Sequence, residues 1–72
     1  LVFTKTAEIY ELQAAAAQGL FYRSPGDAAL LDSASAAWRR YREHVQSRDR
    51  ADLVARADDQ IARLADIRRR LQ

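Results

Sequence analysis

Leu31, Ala34, Trp38, Tyr41 and Val45 follow one another at alternating steps of three and four. That spacing tracks the turn of an α-helix and puts all five on one seam. The seam carries the chain's single Trp, so it is expected to form the centre of the core. Everything else in the chain has to be fitted around a helix over about 25–46.

The length limits what can surround it. At 72 residues the chain is one domain, 1–72, or a piece of a longer protein. A folded chain of this size buries only about 60% of the surface its unfolded form exposes. With no Cys and one His, neither a disulfide nor a structural zinc site is expected to make up the shortfall. Dense helix packing, or completion by a partner or a second copy, is the expected remedy. The first residue is Leu1 rather than Met, which points to processing or trimming and hides any targeting peptide.

The longest uncharged run, 12–22, is interrupted by Gln13, Gln18 and Gly19. It falls well short of the ~20 apolar residues of a spanning helix, so no membrane span is expected. The compartment is unknown from sequence, soluble and cytoplasmic by default. Net charge is +2, from 12 basic and 10 acidic residues. So near a balance implies no long-range field strong enough to capture a polyanion. Lys5 is the sole Lys, so the basic character is almost entirely arginine.

Residues 4–20 read as a first helix, rich in Ala with Glu, Gln and Leu and without Pro. Thr4 or Thr6 is expected to cap it, with Glu8 in the first turn where the helix dipole favours an acid. Two apolar stripes run along it: Val2, Ile9, Ala16 and Leu20, and beside them Phe3, Ala7, Tyr10, Ala14, Ala17 and Phe21. Together they cover an arc of roughly 160°, wide enough to meet two neighbours. Gly19 is expected to end this helix, with the break between Gly19 and Ser24. In Ser24-Pro25-Gly26-Asp27, Ser24 reads as the cap of the second helix and Pro25 as its first residue. Ala28, Ala29, Ala34, Ala36 and Ala37 are small, like residues 14–17 of the first helix, so the two backbones are expected to approach closely in an antiparallel hairpin.

A single helix from 25 to the C-terminus is argued against by phase. Extending the seam would bring Asp52, Ala55 and Asp59 inside. The apolar set Leu53, Val54, Ala57, Ile61, Leu64, Ile67 and Leu71 lies about 100° away. A turn near 46–50 is therefore expected, Ser47 or Asp49 capping a third helix over about 50–71, with Asp52 in its first turn. On that helix Asp52, Arg56, Asp59, Arg63, Asp66 and Arg70 alternate in sign, each acid four residues before its Arg. Such pairs add about 0.3–0.5 kcal/mol each and mark a solvated edge.

Chemistry-bearing groups are sparse. His44 is expected on the solvent flank of the second helix, with no second His and no third group to orient it, so neither a metal pair nor a general base is built there. Asp58 and Asp59 are neighbours and splay apart around a helix, and Glu8 and Glu11 lack a companion nucleophile. No catalytic, cofactor-binding or metal-binding residue is nominated, and no enzyme activity is expected. The stretch Leu31-x-x-Ala34-x-x-x-Trp38-x-x-Tyr41-Arg42 resembles a helix of the LprI-like lysozyme-inhibitor family. That family's cysteines and the acidic residue usual after the Arg are absent, Glu43 being a partial substitute, and no function is carried over.

The fold expected is all-α, a three-helix antiparallel bundle, complete in itself or completed by a partner or a second copy. The function expected is a non-enzymatic protein–protein interaction module or a small subunit of a larger assembly. Tyr10 and Phe21 from the apolar arc, and Arg50 and Arg68 beside the stripe of the third helix, are its candidate partner-binding residues. The alternative is a nucleic-acid-binding helical domain using Arg39, Arg40, Arg42, Arg68, Arg69 and Arg70 around Trp38 and Tyr41.

Overall fold

A computed structural model of the chain describes residues 2–71, with side chains from Lys5 onward. Among the described residues there are three helices, α1 (Val2–Arg23), α2 (Ala28–Gln46) and α3 (Ala51–Leu71). Cross-helix contacts give the directions. Tyr10 meets His44 and Gln18 meets Trp38, so α1 and α2 run antiparallel. Arg42 meets Asp58 and Arg68 meets Asp32, so α2 and α3 are antiparallel as well. The result is an up-down-up bundle 39 Å long, close to the ~33 Å of a 22-residue helix, so the rods lie side by side.

α2 is the middle rod. Leu31, Ala34, Trp38, Tyr41 and Val45 are all buried, as the seam requires. Trp38 and Tyr41 pack edge to face with ring centroids 5.6 Å apart, an arrangement aromatic pairs favour. Ala7, Ala14 and Phe21 of α1 close one side of the seam; Ala57 and Leu64 of α3 close the other. Leu53, Val54, Ile61 and Ile67 line the edge of the core, so the phase argument for a break before α3 holds. Leu71 stays exposed.

The two ends of α1, the start of α2 and the capping of α3 differ from expectation, each for a physical reason. Gly19 does not end α1, which runs four residues further. A mid-helix Gly costs about 1 kcal/mol relative to Ala, whereas burying Phe21, 1% exposed, returns about 1.5–3 kcal/mol. At the other end α1 already starts at Val2, so Thr4 and Thr6 lie inside it rather than capping it, and Glu8 is beyond the first turn. Second, α2 starts at Ala28, not at Pro25. Ser24 spends its carbonyl on a β-turn, accepting from the Asp27 N–H at 3.0 Å, with Pro25 and Gly26 at the turn's corners. Asp27 is the cap: its backbone is extended and its Oδ1 accepts from the N–H groups of Ala29 and Leu30.

The third difference lies in the turn 47–50, found where expected but capped otherwise. Ser47 closes α2, its Oγ donating to the His44 carbonyl. Asp49 sits at φ 56°, a left-handed conformation that Asp tolerates better than most residues. The Arg50 carbonyl accepts from Leu53 and Val54, so neither Ser47 nor Asp49 caps α3. Asp52 does occupy its first turn.

Two substitutions check these corrections by thermal or urea unfolding. Asp27→Ala is expected to destabilise by about 1 kcal/mol, while Ser24→Ala stays within about 0.5 kcal/mol. A Cβ at Gly19 would meet nothing within 4 Å, so Gly19→Ala is expected to stabilise by about 1 kcal/mol. A loss on that change would place Gly19 at a helix end.

Candidate functional site

Two polar clusters and one apolar face compete for the role of functional surface. The first polar cluster is internal. The Gln18 Oε1 accepts from the Trp38 indole N–H at 3.1 Å. Its Nε2 donates to Gln60 Oε1 at 3.1 Å and to the Tyr22 hydroxyl at 2.8 Å. The indole is a donor only, so it fixes which end of the amide faces it. One side chain of α1 thereby joins α2 and α3. Beside it, burial pushes the Tyr41 phenol above its usual pKa, the Glu11 carboxylate adding to the shift and Arg56 opposing it. The Gln18 carboxamide thus has its oxygen and its amino group engaged by three partners, and its role is to hold the bundle.

The second cluster is the arginine surface. Arg42 donates to Asp58 and to Gln46, Arg68 pairs with Asp32, and Arg69 and Arg70 both reach Asp66, at 3.2 and 2.9 Å. Of the six arginines of the nucleic-acid reading, Arg39 and Arg40 remain as exposed groups on α2. The other four already lie against carboxylates of the same chain, which flattens the local potential a phosphate would feel. The alternating stripe of α3 is realised in part. Asp59 pairs with Arg63 at 3.1 Å and Asp66 with Arg70, but Asp52 is taken by Arg50 and Arg56 crosses to Glu11 of α1 at 3.2 Å. The Arg50 hydrogen bond holds the Asp52 carboxyl below its usual range.

The residues nominated for a partner are redistributed by the same geometry. Phe21 cannot serve, because the continued α1 carries it into the core. Tyr10 is half-buried, its ring 5.0 Å from that of His44. His44 is accordingly half-buried too, not on the open flank, since the α1 aromatic leans over it. Arg50 and Arg68 reach Asp52 and Asp32 of their own chain.

What remains is the outer face of α1. Ile9, Leu12 and Leu20 are 56%, 69% and 53% exposed, and Ala16 between them is exposed as well. Their spacing of three, four and four puts them on one side of the helix. No charged residue falls between Glu11 and Arg23, so the face is uncharged over three turns. Only the second of the two α1 stripes packs on α2; the first, described from Ile9 onward, meets solvent. The sequence showed an apolar arc too wide for one neighbour, but not which half the bundle would use. The signal that decides it is Tyr10 and Phe21: the larger side chains ride on the inner stripe, where more area is gained by burial.

Among the described residues no group of three or more His, Cys, Asp or Glu is gathered as a metal site would need, and no helix is long and apolar enough to cross a membrane. The grooves are open and shallow; the one beside the α2–α3 turn, about 330 Å³, is lined by Gln46, Asp49, Arg50, Ala51, Val54, Ala55 and Asp58. Comparison with protein-family models, curated proteins and solved structures returns no match.

Two measurements check the internal cluster. Gln18→Leu leaves the indole N–H without its acceptor and is expected to cost about 1–3 kcal/mol, read from the urea midpoint. The raised Tyr41 pKa gives an alkaline signature. Folding favours the protonated phenol, so stability is full below the unfolded pKa of about 10 and falls as pH rises above it. Tyr41→Phe is expected to remove that part of the decline; an unchanged alkaline limb would contradict it.

Proposed function

We propose that the chain is a non-enzymatic helical interaction module that docks through the outer face of α1, as a small subunit of a larger assembly. The observation that carries this reading is where the exposed apolar groups lie. Ile9, Leu12, Leu20 and Tyr22 all belong to α1, with Leu71 the one further large example among the described residues. Single exposed apolar side chains are ordinary, but several aligned on one uncharged face mark a contact surface. Anchors at this spacing are also how an amphipathic helix seats in an apolar groove.

Magnitudes limit how tight such a contact is. Burying three anchors at about 1.5–3 kcal/mol each gives roughly 5–9 kcal/mol, against an association cost of about 4–15 kcal/mol. One helix face therefore gives weak or transient binding unless further contacts add to it, which suits a component of an assembly.

The test is site-specific photo-crosslinking. A photoreactive residue replacing Ala16 is expected to yield a protein adduct in an extract of the source cells, lost when Leu12→Glu is added. The same residue replacing Ser33, exposed on α2, is expected to yield none. Equal labelling from both positions, or none from Ala16, would contradict the reading. Titration with duplex and single-stranded DNA at two salt concentrations covers the arginine surface. Binding with a slope of several phosphate contacts would favour the nucleic-acid reading instead.

A further inference from the structure

We propose that the occupant of the α1 outer face is a second copy of this chain, its α1 lying antiparallel to the first about a twofold axis through Ala16. The proposal rests on the docking face described above and names its partner. Such an axis places each residue ahead of Ala16 opposite the one as far behind it, and makes every contact twice. Leu12 then faces Leu20 of the second copy, four residues on either side of the axis. Ala16 meets Ala16 where the rods are nearest, and two small side chains allow close approach there. Ile9 lies opposite Arg23, whose aliphatic stem can cover it.

Charge selects this orientation. Glu8 stands just before the uncharged stretch and Arg23 just after it. Both are exposed, and among the described residues neither forms an ion pair within the chain. On the helix both lie on the Leu12 side of the face, and the twofold axis keeps each flank on its own side. The antiparallel pair therefore sets Glu8 against Arg23 twice, once at each end. A parallel pair would oppose Glu8 to Glu8 and Arg23 to Arg23. A single helix face is smaller than the ~800 Å² that each partner contributes to a standard interface, so the dimer is weak, with a dissociation constant on the order of 100 µM.

The experiment is sedimentation equilibrium of the purified full chain from about 5 µM to about 1 mM at low salt, a range that brackets that constant. The wild type is expected to move from one chain mass towards two. Leu12→Glu is expected to stay at one chain mass throughout, with its circular dichroism unchanged, since Leu12 is an exposed side chain. Glu8→Arg and Arg23→Glu, which each bring like charges together, are expected to weaken association about tenfold or more. The double variant Glu8→Arg/Arg23→Glu is expected to restore it. A wild type that stays at one chain mass overturns the pairing, as does a dimer that both single reversals leave intact. A foreign-protein adduct from Ala16 beside a monomeric purified chain would overturn the pairing and leave the docking face standing, so the two failures are told apart.

Discussion

The Gln18 carboxamide accepts from the indole of Trp38 and donates to Gln60 and to the Tyr22 hydroxyl. It stands where α1, α2 and α3 come together, and the bundle's register depends on it. Apolar burial is non-directional: a seam of Leu, Ala and Val tolerates a small slide of one rod along another. An indole N–H on the edge of the core does not, because an unmet buried donor costs more than a met one gains. The amide has one acceptor and two donors to place, and the three partners match them. Trp38 thereby anchors α2 to α1 by a bond as well as by area, and Gln60 brings α3 to the same height.

α1 and α3 touch each other through long polar side chains, Gln18 with Gln60 and Glu11 with Arg56. Both rest their apolar faces on α2, which is why α2 holds the largest share of the buried residues. The ionic pairs lie outside this core on exposed side chains, where each contributes at most about 1 kcal/mol. They coat the surface and help fix which rod faces which, but they do not hold the fold. The uncharged flank of α1 is the exception to that coating, and the functional proposals follow from it.

Much of this was legible from residue spacing alone. The seam of α2 and the phase shift into α3 come from periodicity, which is local and robust. The termini were harder, because each depends on a competition. Whether Gly19 or Phe21 decides the end of α1 turns on an apolar area that exists only once α2 is in place. Whether Ser24 or Asp27 caps α2 turns on the β-turn that Pro25 and Gly26 impose between them. Gln18 gave no sign of its role, since a Gln in an Ala-rich helix is usually solvated, and its partners lie 20 and 42 residues away. The same limit affected the candidate site. Sequence showed a wide apolar arc, but the half left uncovered is a property of packing.

The most direct measurement of the central claim is hydrogen exchange at the Trp38 indole N–H, followed by NMR. If Gln18 holds that proton within the closed bundle, exchange will be slow and its denaturant dependence will match that of global unfolding. Exchange near the rate of a free indole, in a chain that remains helical, would mean that the amide does not tie the three rods together.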